Sequence, residues 1–123
     1  MDLNDFPFFH ADTSVSQASN LLRRATPGSY LLIEPVEPNV LCILNIRGQS
    51  EIAHISIVQE ENRIYMATPG PNRRCFDHVK DLIDYCTCPG RRLKAVDMSG
   101  VKTVYFELKH PLTKSRKVFD LWL

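Results

Sequence analysis

The residues able to do chemistry are few. Four cysteines stand at 42, 75, 86 and 88, and four histidines at 10, 54, 78 and 110. Cys86-x-Cys88, with Cys75 and His78 near it, has the ligand types of a zinc site but not the C-x2-4-C spacing of a knuckle. No metal and no cofactor is expected. A Cys-His pair could make a nucleophile, but no family signature surrounds one, and there is no nucleophile elbow, H-E-x-x-H helix or P-loop. The chain is not expected to be an enzyme. Arg73-Arg74 and Arg91-Arg92-x-Lys94 are short basic clusters, read first as solvated loops and second as an acidic-partner or phosphoinositide patch.

The whole chain narrows this further. It has 123 residues, 15 Lys plus Arg against 14 Asp plus Glu, and 44% apolar residues, which fits one folded domain with a real core. A net charge of +1 disfavours a nucleic-acid partner. No apolar run reaches the roughly 18 residues of a membrane span. The opening MDLNDFPFFHAD carries three acids and no Lys or Arg, which does not fit a secretory signal. Reduced thiols and a cytoplasmic location are therefore expected.

These side chains must be positioned by a small set of elements. Residues 14–24 read as a helix, capped by the Ser14/Gln17 pair, with Ala18, Leu21 and Leu22 as its apolar stripe. Residues 29–34 and 39–47 are nearly continuous apolar runs, as strands buried on both faces would be. Residues 51–58 alternate, with Ile52, His54 and Ser56 on one face and Ala53, Ile55 and Ile57 on the other. Glu60-Glu61-Asn62 turns into a fourth strand, Arg63 to Ala67. Residues 75–86 form a second helix burying Phe76, Val79, Leu82, Ile83 and Tyr85 or Cys86. The expected fold is α+β, a central antiparallel sheet flanked by two helices. The tail adds Thr103–Lys109 and Arg116–Leu123, read as an extra C-terminal β-hairpin turning at 110–114.

In this order the residues resemble the Src homology 2 family. Phe8-Phe9-His10, followed by the capped helix, looks like that family's W-F-H-G opening. Gly28-Ser29-Tyr30-Leu31-Leu32-Ile33-Glu34 is similar to its G-S-F-L-V-R-E strand. Val40-Leu41-Cys42-Ile43-Leu44 resembles Y-C-L-S-V, and Ile52 to Ile57 resembles V-K-H-Y-K-I. Phe76, Val79, Leu82-Ile83 and Tyr85 match the second-helix pattern. The likeness spans residues 6 to 96. A chain opening at Met1 with little besides this unit, and with Thr68-Pro69-Gly70 before the second helix, is similar to free-standing adapters of the SLAM-associated-protein group. The expected division is 1–97 for the domain and 98–123 for the hairpin.

The resemblance implies a binding module that docks phosphotyrosine peptides across the sheet. Its phosphate pocket depends on a bidentate Arg, whose planar fork matches phosphate. Here that position is Ile33. The helper position on the first helix is Val15, the phosphate loop opens Glu34-Pro35, and the third-strand basic position is Ser56. Cys42 and His54 keep the usual types. The expected degenerate pocket is therefore Val15, Ile33, Glu34, Cys42, His54 and Ser56, with Arg23, Arg24 or Arg47 as replacement cations. Ile55, Ile64, Tyr65 and Met66 are expected along the peptide groove.

Against such a pocket a phosphotyrosine, at about −1.5 to −2 charge, would be desolvated without a partner, at several kcal/mol or more. The implied partner is a protein, such as a signalling receptor tail or a kinase-pathway protein, bound without phosphotyrosine. Asp77 stands where the adapters' kinase-recruiting Arg would be, so kinase recruitment is not implied. Two alternatives stay open: a structural or regulatory piece of a larger signalling assembly, and phosphotyrosine binding through a non-standard basic residue. The tail hairpin is read as covering the domain's own core, or else as filling the groove or joining a partner or second copy as a homodimer by strand addition.

Overall fold

The computed structural model describes residues 3–68, 74–96, 100 and 102–113. After a short 3-10 turn at Leu3–Asp5 come β1 (Phe9–His10), α1 (Val15–Arg23), β2 (Ser29–Ile33), β3 (Val40–Arg47), β4 (Ile52–Glu60) and β5 (Arg63–Met66). They are followed by α2 (Val79–Cys86), β6 (Leu93–Val96), β7 (Thr103–Phe106) and β8 (His110–Pro111).

α1 starts where its cap dictates: the Ser14 hydroxyl accepts from the Gln17 amide and the Gln17 side chain accepts from the Ser14 amide. Its buried face is Ala18, Ser19 and Leu22. Leu21, expected in that stripe, is 42% exposed. α2 is shorter than the expected 75–86. The Phe76 amide and carbonyl both bond Ile64, at 2.7 and 2.8 Å, so the chain is still extended there and turns helical only after His78.

β2 to β5 form an antiparallel ladder. The two-residue turn between β4 and β5 puts Glu61 and Asn62 at φ of 48° and 67°, the twist that a tight hairpin requires. The sheet is nonetheless mixed rather than wholly antiparallel. β1 pairs parallel with β2 at Leu32 and Ile33, and β8 pairs parallel with it at Ser29 and Tyr30. The two short strands lie end to end along one edge, so β2 has neighbours on both sides and all five of its residues are buried. The His10 Nε2–H donates to the Leu112 carbonyl at 2.7 Å and joins them.

The stretch read as the hairpin's turn, 110–114, thus begins as sheet. β7 pairs with β6, across the expected 97/98 division; 116–123, the hairpin's expected second strand, lies outside the described residues.

Two cores result from this layering. Ala18 and Leu22 of α1 pack on Leu31, Ile33, Ile43 and Ile52. The other face of the sheet packs Tyr30, Leu32, Cys42, Leu44, Ile46, Ile55 and Ile57 against Leu82, Ile83 and Cys86 of α2, and against Leu93, Ala95, Phe106 and Leu108.

Candidate functional site

The strand registers decide which side chains face α1. Ile33 pairs with Ile43, and Ile43 with Ser56, making one row across β2, β3 and β4. Leu31, Asn45 and His54 make the next row. Neighbouring strands lie roughly 4.8 Å apart, so each row spans about 10 Å. Ile33 is 1% exposed, Val15 is 38% exposed at the start of α1, and Glu34 points to solvent.

Cys42 does not belong to this site. It packs with Leu44 and Ile46 on the α2 side, and Ile43 takes its expected place. Alternation along β3 is the cause: Cys42, Leu44 and Ile46 share one face, and the regular ladder sets Ile43, not Cys42, opposite Ile33. The pocket position expected to hold a thiol holds an isoleucine.

Behind the first row lies a closed polar chain. Asn45 is fully buried, and its Nδ2 donates to the Leu31 and Ile43 carbonyls at 3.3 and 3.0 Å. Its Oδ1 must therefore accept, and it does so from His54 Nδ1. That leaves His54 Nε2 as an acceptor, 3.1 Å from the Ser19 hydroxyl of α1. The Ser-His-Asn order has the look of a catalytic relay, but Ser19 is 3% exposed beneath its helix, where no substrate reaches it. The chain is structural: it ties α1 to the sheet.

Burial pushes the His54 imidazole below its ordinary value. The unfolded chain then takes up the proton first, near about pH 6.5. The stability linked to neutral His54 is present above that pH and is lost as pH falls toward the lower folded value. Thermal melts between pH 7 and pH 5 are expected to fall more steeply for the native chain than for His54→Gln. Parallel curves would show that His54 does not carry this limb.

Of the three expected replacement cations, Arg47 is committed elsewhere. Its Nη1 donates to the carbonyls of Leu22, Arg23 and Ala25 at 2.9–3.0 Å. It closes the C-terminal end of α1, where a cation suits both the orphan carbonyls and the helix dipole. Arg23 and Arg24 are exposed at that same end, and Arg23 bonds the Asn20 side chain at 2.9 Å. They line a shallow outer cavity with Asp12, Thr13, Gln17 and Leu21, away from the sheet. Among the described residues no basic side chain stands in the Ile33 row.

The expected groove residues divide between the faces. Ile55 and Ile64 are core, 2% and 4% exposed. Met66 packs against the same core, its sulfur 3.6 Å from that of Cys86. Tyr65 pairs with Val58 and lies on the opposite face, its hydroxyl donating to Glu60 at 2.5 Å. Ile43, Asn45 and Ser19 are the site residues that the sequence did not reveal. Asn45 alone gave a signal, as a polar residue within the apolar run 40–46.

Of the four thiols, Cys75 and Cys88 are exposed and Cys42 and Cys86 are buried. Burial pushes Cys42 and Cys86 up to about 12, so both are protonated and inert near neutral pH. Among the described residues no group of His, Cys, Asp or Glu could hold a metal, and no helix is long and apolar enough to cross a membrane.

No protein-family model and no curated protein matches the chain. Among solved structures it is similar to the solution NMR structure of the SH2 domain of a CRK/CRKL homolog from Monosiga brevicollis. The TM-score is 0.67 at 23% identity, over 89% of this chain and 88% of that one. The fold is that of a Src homology 2 domain.

Proposed function

We propose that this chain is a non-catalytic protein-interaction module of Src homology 2 fold whose phosphate pocket has become apolar, and that it holds its partner without phosphotyrosine. The observation that carries the reading is the row Ile33–Ile43–Ser56 beneath α1, together with Arg47 consumed by α1's own carbonyls. A phosphate brought there loses hydration and gains none of the charge-assisted bonds, each about 1.5–3 kcal/mol, that would offset it. The partner is a protein of a signalling pathway, a receptor tail or a kinase-pathway component, by likeness of fold to the Monosiga domain.

The module runs through Thr113 rather than stopping at residue 97. Two observations support this extent: β8 shields the edge of β2, and the likeness to the Monosiga domain covers a larger share of the chain than 1–97 does.

Calorimetric titration with matched tyrosine-peptide pools, phosphorylated and not, tests the function. Equal binding of both pools is the expected result. Binding confined to the phosphorylated pool would overturn the reading and direct the search to Arg23 and Arg24.

A further inference from the structure

We propose that Arg74, Tyr85 and Arg91 form a docking site for a carboxylate-rich segment of the protein partner. The site lies on the α2 side of the sheet, away from the Ile33 row. The inference deepens the interaction-module reading and rests on it.

Two guanidinium groups converge on one ring. The guanidinium carbon of Arg91 lies 3.7 Å from the centroid of Tyr85, and that of Arg74 lies 4.6 Å from it. They arrive from different parts of the chain. Arg74 immediately precedes the extended segment that bonds Ile64, while Arg91 sits in the turn after α2, its amide donating to the Cys88 carbonyl at 3.1 Å. Phe76 supports the Tyr85 ring at 5.5 Å. The ring's negative face holds each cation, but two like charges beside one ring repel.

Among the described residues, no carboxylate relieves that repulsion. The ion pairs there belong to Lys80 with Asp84, Arg92 and Lys109 with Glu107, and Lys102 with Glu51. Arg91 Nε is buried and meets no acceptor among the same residues. A buried charged donor without an acceptor needs an explanation, and an incoming anion that draws the guanidinium toward it supplies one. Stacking also orders both side chains in advance, which lowers the entropy lost on binding.

An acidic peptide fits better than a membrane. Asp77, Asp81 and Asp84 are exposed on or just before the same helix and would repel an anionic bilayer laid across it. An extended segment threads between them, its carboxylates on the two guanidinium groups and its aliphatic carbons on the Tyr85 ring.

The test uses the full chain at physiological salt, with a hexaglutamate peptide as probe, hexaglutamine as neutral control and phosphatidylserine vesicles as the competing source of anions. Arginine Nε–H and tyrosine ring signals are read by NMR. Hexaglutamate is expected to shift Arg74, Arg91 and Tyr85 saturably, and hexaglutamine is not. Arg74→Gln and Arg91→Gln are each expected to weaken binding about tenfold, while Arg63→Gln, an exposed arginine on β5, is expected to leave it unchanged.

Equal loss with Arg63→Gln would mean diffuse charge attraction and would overturn the site. So would the absence of shifts, or vesicle binding that hexaglutamate does not displace. If Arg91→Gln unfolds the protein, the native-chain titration and Arg74→Gln still decide. None of these outcomes bears on whether the Ile33 row accepts phosphate, so the two readings fail separately.

Discussion

Replacing Phe106 by alanine is expected to destabilise the protein by about 3–5 kcal/mol. Phe106 is 2% exposed and is the largest fully buried side chain among the described residues. It pairs with Leu93 across the β6–β7 ladder and packs in the cluster of Tyr30, Leu44, Ile46 and Leu82. Its ring lies so close to Gly48 that a Cβ there would stand 3.0 Å from Phe106 Cε1. Neighbours packed this tightly cannot fill the space a truncation leaves, and the lost contacts add to the lost transfer energy.

Such a loss is a large share of the roughly 5–15 kcal/mol that holds a domain folded. Urea unfolding followed by tryptophan-independent circular dichroism reads it as a lower midpoint at unchanged slope. A loss under about 1 kcal/mol, the range of a surface change, would mean that residues beyond 97 are an appendage. The same reasoning covers deletion of 102–113. That removes Phe106 and Leu108 from the core, and it uncovers the Gly28 and Tyr30 carbonyls that now accept from His110 and Leu112. An insoluble or unfolded truncation is the expected outcome.

What the sequence makes legible, and what it hides, separates along physical lines. Local signals were enough for α1, because the Ser14/Gln17 box and the Ala18–Leu22 spacing act within one turn of helix. They were enough for β2 to β5, because two continuous apolar runs mark β2 and β3, alternation marks β4, and a two-residue turn fixes β5 beside it. They failed at β8, where two residues pair with a strand some eighty positions earlier and no periodicity can build up.

Cys42 matches the family's residue type but not the face of the Ile33 row, and alternation with Leu44 and Ile46 is the signal in the sequence that places it toward α2. Arg47 reads in the sequence as a free cation because its four partners, all backbone carbonyls, have no signature in any side chain. Tyr65 shares the groove expectation with Ile64 and Met66, although alternation alone places it on the face opposite theirs. Ile33, by contrast, sits as its apolar run predicts, in a strand buried on both faces.

Ile33→Arg combined with Val15→Arg is expected to create phosphotyrosine binding, with the phosphorylated peptide preferred about 100-fold over its unphosphorylated twin. Two guanidinium groups on one phosphate contribute charge-assisted bonds of about 1.5–3 kcal/mol each, and two factors of ten follow from the lower value. The gain has a visible counterpart in the free protein. An arginine at a position 1% exposed, with Ile43 and Ser56 beside it, is a buried charge without a partner. Removing such a charge from water costs several kcal/mol. The second arginine, at 38% exposure, costs less, although it meets the positive end of α1.

The unliganded double variant should therefore melt below the native chain. Phenyl phosphate should raise its melting temperature in proportion to ligand occupancy, while leaving the native chain unmoved. That pairing separates pocket restoration from general damage, because damage alone is not rescued by one anion. Where the double variant does not fold, Ser56→Lys keeps the test open. Its site is half-buried in the same row, so the ammonium reaches water while still facing the phosphate. A folded variant, of either kind, that binds both peptides equally would mean that no peptide reaches the Ile33 row at all.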